Sequence, residues 1–289
     1  MNEIADLDLG ALGEKGYIPG PGEENLTFLN RVTLSEKRCR DPYPFLQKDG
    51  MKAFERVPVS TWDLVFTQTK RLIGCTPHWI CAVYSNHRLS PWQGAVTWIY
   101  EEGASVWSMI QLRRAFKKGT FFFLYSLEEV LLHETLHAVR VAFNEPQFEE
   151  IFAFSLSKRR WHRFLGPLFR RPLEVNIFMG TMGVFFLGWS GTLFIYQNVF
   201  LSSLFFLLPL TALSVSFIRL VKDQILFYRA LKVINQIFLG VFPLAVAMRL
   251  TDREMMMFAK DKKEKIKAYI SRQSGLRWKQ ILLNFQLKT

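Results

Sequence analysis

The stretch SLEEVLLHETLHAVRVAFNEPQFEEIFA, residues 126–153, carries the strongest structural and chemical signals in this chain of 289 residues. Ser126 and Glu129 form a capping-box pattern, which predicts that a helix begins immediately after the serine. Pro146 ends that helix and suits the first turn of a second one, which should extend to about Arg160. The sequence therefore predicts two consecutive helices joined by a tight turn.

The first predicted helix contains the pattern HExxH at residues 133–137. His133 and His137 are four residues apart, so their imidazoles lie on one helix face and can bind a single Zn²⁺. Glu134 is rotated by about 100° from His133, which lets it flank the metal without binding it. It is then placed as a general base for zinc-activated water and as the acid that protonates the leaving amine. The alternative is that both histidines are ordinary helix residues with satisfied ring nitrogens.

A catalytic zinc site requires a third protein ligand and one open coordination position. Glu149 and Glu150 come one tight turn after the first helix, so either carboxylate could fold back onto the histidines. The alternative for both is a solvated acidic patch. The residues by themselves leave the choice of ligand open.

The HExxH pattern followed by ExxA, from Glu150 to Ala153, resembles the gluzincins, which are thermolysin-like zinc metallopeptidases with a glutamate as third ligand. The resemblance implies a zincin-like fold, zinc-dependent endopeptidase activity and Glu150 as the third ligand. Glu149 is then an alternative ligand or a support for one. Only 11 or 12 residues separate His137 from Glu149 or Glu150, fewer than in thermolysin-like enzymes, so no subfamily is assigned.

Two further features are expected to serve this site. In zincins the edge of a strand before the metal helix pairs with extended substrate, and here the candidate strand has Gly94, Ala95 and Val96 at its centre. An ordinary structural strand is an equal alternative. Arg140, three residues after His137, could orient a ligating carboxylate or contact the substrate, whereas a surface salt bridge is the commoner role for such an arginine.

The chain also contains a long uncharged stretch, which predicts membrane insertion. Residues 175–218 include no charged side chain, and these 44 positions fit two spans of about 20 residues each. We expect a transmembrane helical hairpin with spans at 175–196 and 199–218 and a turn at Gln197-Asn198. A buried hairpin of a soluble protein is the alternative.

Charge predicts the topology and the partners. The net charge is +12, and basic residues flank both ends of the uncharged stretch. The positive-inside rule then places both termini and the catalytic domain in the cytoplasm, with the hairpin in an inner or plasma membrane. Membrane lipid is an expected partner, and nucleic acid is not, because no zinc finger or base-stacking motif accompanies the charge.

Strand signals at residues 79–84, 95–100, 105–110 and 120–125 precede the metal helix, so the predicted fold class is α+β. The predicted parts of the chain are a mobile N-terminal arm (1–50), a small zincin-like catalytic domain (51–172), the transmembrane hairpin (175–218) and a helical C-terminal cytosolic region (219–289).

The expected function is that of a membrane-anchored zinc metallopeptidase, which hydrolyses peptide bonds of a peptide or protein substrate on the cytosolic side. The alternative is a non-catalytic membrane adaptor that keeps a zincin-like fold for binding. Substrate identity and oligomeric state are left open by the sequence.

Overall fold

The computed structural model describes residues 8–48, 50–51, 53–121, 125–194 and 199–288, and its fold is mixed α+β, as predicted. The strands are β1 (Glu55–Arg56), β2 (Cys81–Tyr84), β3 (Ala95–Glu102), β4 (Ser105–Leu112), β5 (Thr120–Phe121) and β6 (Tyr125–Ser126). The helices are α1 (Leu9–Glu14), α2 (Asn25–Arg40), α3 (Tyr43–Lys48), α4 (Trp62–Ile73), α5 (Leu127–Val139), α6 (Glu149–Ser155), α7 (Arg160–Leu165), α8 (Pro172–Phe194), α9 (Val199–Leu204), α10 (Leu207–Ile237), α11 (Pro243–Ala247), α12 (Asp252–Lys260), α13 (Lys263–Ser271) and α14 (Leu276–Asn284).

The main sheet has the strand order β1-β2-β4-β3. Strand β4 pairs parallel with β2 and antiparallel with β3, so β3 lies at an edge of the described sheet. Side chains alternate between the faces of β2: Val83 packs with Leu46 of α3, while Ala82 and Tyr84 join the main core. Helix α5 contacts β3 and β4. The sheet therefore supports α5 and leaves the β3 edge beside it.

The N-terminal segment differs from its prediction. Within residues 8–48, helices α1 and α2 pack against the rest of the chain, and the side chains of Tyr17 and Ile18 are buried. Tyr17 stacks on Trp79 with ring centroids 4.8 Å apart, and the buried Arg31 forms an ion pair of 2.8 Å with Glu23. The predicted mobile arm was wrong for these residues, because its glycines and prolines make turns between packed elements.

The two helices of the predicted zinc site are shorter than expected. The Ser126 hydroxyl accepts a hydrogen bond from the Glu129 amide, so α5 begins where the capping pattern predicted. It ends at Val139, and α6 begins only at Glu149. The fourth predicted strand is instead the pair β5 and β6, and the residues between them lie outside those described.

The C-terminal region contributes to the same core as the predicted catalytic domain. The ring of Phe227 on α10 packs against the rings of Phe148 and Phe152, at centroid distances of 6.4 and 5.2 Å. The predicted division between residues 51–172 and 219–289 therefore does not separate two cores. A capping box formed by Thr251 and Glu254 starts α12, which ends at Lys260, and α13 follows after a break.

A buried carboxylate organises this C-terminal part. Glu254 accepts hydrogen bonds from Arg277 Nη2, Trp278 Nε1 and the Tyr269 hydroxyl at 2.7–2.9 Å. Burial alone would raise the pKa of Glu254, but the hydrogen bond and charge of Arg277 outweigh burial, so its pKa is lowered. The carboxylate thus joins α12 to α14 in its charged form.

One segment of the described residues, Leu173–Thr192 of α8, is long and apolar enough to cross a membrane, and its large apolar side chains are not buried in the protein. The second predicted span, residues 199–218, covers α9 and the first part of α10. Its side chains also include exposed apolar groups, such as Phe200 and Ile218. The predicted turn at Gln197-Asn198 lies outside the described residues.

Candidate metal centre

Helices α5 and α6 bring the predicted ligands together in the structure. Buried Leu132 and Leu136 fix one side of α5 in the core, which leaves the two histidines on the side that faces α6. His133, His137 and Glu150 form a group whose ligand atoms all lie within 4.8 Å of one another. The side chains of these three residues are about four-fifths buried.

The distances within this group match those around a tetrahedral ion. The two Nε2 atoms of His133 and His137 are 3.2 Å apart. Glu150 places Oε2 at 3.6 Å from His133 Nε2 and Oε1 at 3.5 Å from His137 Nε2. Tetrahedral zinc with bonds of about 2.0–2.1 Å separates neighbouring ligand atoms by about 3.3–3.4 Å. The observed separations between the nitrogen and oxygen atoms differ from these values by only about 0.1–0.3 Å, so small side-chain movements would let them bind Zn²⁺.

Glu149 makes different contacts from Glu150. Its Oε1 lies 3.1 Å from His137 Nδ1, and its Oε2 accepts a hydrogen bond of 2.6 Å from Arg140 Nε. With Nδ1 protonated as the donor, the lone pair of His137 is on Nε2, which points toward His133 and Glu150. Glu149 therefore orients the histidine, and the residue with oxygen atoms near both imidazoles is Glu150.

Arg140 is buried, in contrast to the surface salt bridge that is the commoner arrangement for such a residue. Its Nη1 donates to the backbone oxygen of Met248, and its guanidinium lies over the rings of Phe143 and Phe152. Arg140 thereby connects the end of α5 with Glu149 and with the segment before α12. The sequence suggested that Arg140 could orient a carboxylate. Its contact with Met248 could not be predicted, because the two residues are 108 positions apart and nothing near Arg140 in the sequence indicates the pairing.

The carboxylate of Glu134 is buried beside the histidines and is held by the edge strand. The Thr97 hydroxyl donates to Glu134 Oε2 at 2.6 Å. Its oxygen is also 3.1 Å from the backbone oxygen of the same glutamate. Thr97 is not among the site residues predicted from the sequence. Strand alternation was the available signal, because Thr97 lies on the same side of β3 as Ala95, and both border the cleft.

Charges in the group favour a cation between the histidines and the glutamates. Burial lowers the pKa of His137, but the carboxylates of Glu150 and Glu149 outweigh burial and raise it to about 10. Burial lowers the pKa of His133, and the neighbouring His137 lowers it further. The carboxylates thus favour a positive charge beside His137, which either a proton on Nε2 or a metal ion bound there would supply, whereas His133 favours its neutral form.

The two carboxylates nearest the cleft have raised pKa values. Burial is the main cause for Glu150, whose pKa rises to about 7 despite the nearby charge of His137. Burial also raises the pKa of Glu134, partly offset by His137 and by the hydrogen bond from Thr97. The raised pKa of Glu134 is closer to neutral pH, where a carboxyl group can both accept and donate a proton efficiently.

An aromatic cavity of about 240 Å³ adjoins the group on one side and has His133 and Glu134 in its lining. Its other walls include Phe116, Phe154 and His162. The ring of His162 stacks on that of Tyr125 with centroids 5.4 Å apart. Sequence analysis did not select His162, because a lone histidine on a basic helix gives no signal of its position.

The predicted substrate strand lies beside the cleft, but its three residues differ in the direction of their backbone groups. The Gly94 oxygen accepts a hydrogen bond from the Arg113 amide, and Val96 pairs with Gln111 two residues further along. Hydrogen-bonded pairs alternate along an antiparallel ladder, so Gly94 and Val96 direct their backbone groups toward β4. Ala95 and Thr97 direct theirs toward the open edge, where a peptide strand could pair.

Comparison of this chain with protein-family models, with curated proteins and with solved structures found no match.

Proposed function

We propose that this chain is a zinc-dependent metallopeptidase of the gluzincin type with a zincin-like catalytic fold. The observation that carries the proposal is the convergence of His133, His137 and Glu150 beside the buried carboxylate of Glu134. Zinc would take one donor atom from each of the first three residues and keep a position open toward the cleft. Two imidazoles and one carboxylate are the donor set of catalytic rather than structural zinc sites.

Zinc would supply a Lewis acid that polarises a peptide carbonyl and increases the acidity of water. Glu134 would accept a proton from that water and return it to the nitrogen of the leaving amine, for which its raised pKa is suited. The Thr97 hydroxyl orients the Glu134 carboxylate, and Glu149 keeps His137 in the tautomer that presents Nε2.

Substrate binding by strand addition is supported by the open edge of β3. The backbone groups of Ala95 and Thr97 would pair with an extended peptide next to Glu134. This pairing is independent of side-chain identity, so it accommodates many sequences. A side chain of such a peptide could enter the aromatic cavity, where Phe116 and Phe154 favour an apolar group.

We also propose that residues 175–218 form a two-helix membrane hairpin whose ends lie on the cytoplasmic side. Glu174 and Arg219 are the charged residues that border this stretch, and their side chains form an ion pair of 2.6 Å. This ion pair supports a position of both helix ends at the same membrane surface. Basic residues on both flanks support the cytoplasmic side, which also carries the catalytic domain.

The test uses the full chain in detergent or nanodiscs, with zinc content by elemental analysis and cleavage of a peptide library by mass spectrometry. The Glu134→Gln variant should retain zinc and lose peptide cleavage, whereas His137→Ala should lose zinc. The matched control is Glu128→Gln, a change at a half-exposed glutamate on the same helix, which should alter neither. Retained cleavage in the Glu134→Gln variant would refute the assigned mechanism, and bound zinc without any cleavage in the wild type would favour the adaptor.

A further inference from the structure

Helix α7 exposes large apolar side chains on one side. Trp161, Phe164 and Leu165 are 51%, 40% and 43% exposed, and their spacing places them on one helix face. On the adjacent part of α10, Ile225 and Tyr228 are 47% and 55% exposed. A groove of about 410 Å³ joins the two helices and is lined by Phe164, Ile225 and Tyr228. These five side chains are called the interfacial patch.

Cationic side chains border the interfacial patch. Arg160 and Arg163 belong to α7, and Arg229 and Lys232 belong to α10. Within the part of the chain that the structure describes, none of these four forms an ion pair with a carboxylate. The deeper Arg170, in contrast, is buried in an ion pair of 2.6 Å with Asp223. The unpaired cations around the patch therefore complement an anionic surface.

The position of α7 identifies which surface this is. The ring of Phe164 lies 6.4 Å from the ring of Phe217, which belongs to the uncharged stretch proposed to enter the membrane. Gln224 on α10 donates a hydrogen bond of 3.0 Å to the backbone oxygen of Arg163, which fixes α7 against that helix. The apolar surface is thus continuous from the proposed spans onto α7, at the level where the charged residues begin.

We infer that the interfacial patch lies in the headgroup region of the membrane and binds anionic phospholipid. The inference rests on the proposed membrane hairpin. Tryptophan, tyrosine and other apolar side chains flanked by arginine and lysine are the composition that binds this region of a bilayer. His162, on the same helix, lines the aromatic cavity beside the proposed zinc site, and its ring centroid lies 3.8 Å from that of Trp161 in the patch.

The first experiment measures depth with an environment-sensitive NBD fluorophore on single introduced cysteines of the full chain in nanodiscs. The L165C variant reports the patch, L187C reports the middle of α8, and L26C reports an exposed site on α2. Native Cys75 and Cys81 are buried, and labelled wild type provides the blank for Cys39. Lipid brominated near the headgroup should quench the L165C label at least fivefold more than the L26C label. Equal weak quenching at both sites would overturn the inference.

The second experiment measures lipid charge at the same site. Brominated phosphatidylglycerol and brominated phosphatidylcholine are compared at equal mole fraction, and the former should quench the L165C label more strongly. Each basic residue near the surface favours anionic lipid by about fivefold. The added changes Arg160→Gln and Arg163→Gln remove two of the four cations around the patch and should therefore clearly lower the ratio of the two quenching values. The matched control, Lys262→Gln with Lys263→Gln, should leave the ratio unchanged, and an effect equal to that of the α7 pair would refute a specific role for the patch.

The L187C label separates failure of this inference from failure of the membrane anchor. L187C is measured with lipid brominated near the ends of its acyl chains. Quenching of L187C by that lipid, without quenching of L165C by headgroup-brominated lipid, leaves the hairpin in place and rejects the interfacial position of α7. Absence of quenching at both sites rejects the hairpin and the inference together. Neither measurement depends on zinc or on peptide cleavage, so the result is independent of the proposed enzyme activity.

Discussion

The substitution Glu149→Gln tests the roles that the geometry gives to the two adjacent glutamates. Glu149 accepts one hydrogen bond from His137 Nδ1 and another from Arg140 Nε, each on a different oxygen. Glutamine has a single carbonyl oxygen, so one of the two donors must lose its acceptor. The change also removes the negative charge that makes the His137 imidazole a better electron donor to a metal.

The expected effect is a moderate loss of zinc affinity. Removing an outer hydrogen-bond partner of a metal-binding histidine typically weakens metal binding by about 10–100-fold, or about 1.4–2.7 kcal/mol. Glu150→Gln should have a larger effect, because it removes a donor atom from the ligand group itself. Glu128 belongs to the same helix, α5, but lies outside the cleft, so Glu128→Gln should leave zinc affinity unchanged.

The assay is competition for zinc between the purified full chain and a chromophoric chelator, with each variant titrated at the same pH. The reasoning is refuted if Glu149→Gln abolishes zinc binding while Glu150→Gln has only the moderate effect, because Glu149 would then be the ligand. No change in affinity for Glu149→Gln would show that its contact with His137 has no influence on the metal.

Three further changes test other parts of the structure. Thr97→Val should lower kcat by about tenfold with zinc content unchanged, because the proposed general base loses the hydrogen bond that orients it; a matching loss of zinc would contradict this. Glu254→Gln should lower the free energy of unfolding by about 3–5 kcal/mol at pH 7, since a buried arginine loses its anionic partner. The folded-state pKa of Glu254 is depressed, so this stability is fully present above its unfolded pKa of about 4.3 and is lost as the pH falls through the lower folded-state value. Denaturant titrations should therefore show the two proteins converging only in that acid range. Gly188→Ala should lower the free energy of unfolding of the detergent-solubilised chain by about 1–3 kcal/mol, measured by thermal unfolding, because a Cβ atom there would lie 2.5 Å from the ring of Phe205. Gly180→Ala is the control, because a Cβ atom at that position meets no atom within 4 Å.

Local sequence signals predicted the elements whose boundaries depend on adjacent residues. The Ser126 cap determined the start of α5, and residues four apart on any α-helix lie on the same face, so the common face of His133 and His137 was predictable. The edge strand was also predictable from its alternation and from the turn residues around it. Glu149 and Glu150 had equivalent local signals, and only the packing of α6 against α5 gives them different contacts.

Contacts between residues far apart in the sequence were not predictable. The N-terminal stretch rich in glycine and proline has the composition of a mobile arm, but Tyr17 becomes buried against Trp79 of a distant segment. Arg140 has the local appearance of a surface residue until the backbone of Met248 covers it. In both cases the partner that decides the structure comes from another part of the chain, and a single sequence does not record the pairing.

Distant contacts also connect the helix that carries Glu149 and Glu150 with the two apolar helices α8 and α10. Asp223, buried on α10, accepts a hydrogen bond of 2.6 Å from Arg170 before α8 and one of 2.9 Å from Gln147. Gln147 precedes Glu149 by two residues, and its backbone amide is held by Asp252 at 2.7 Å. A displacement of α8 relative to α10 would therefore strain the segment that positions both glutamates. The Asp223 side chain therefore links the segment that carries Glu149 and Glu150 to the bases of the two apolar helices, α8 and α10.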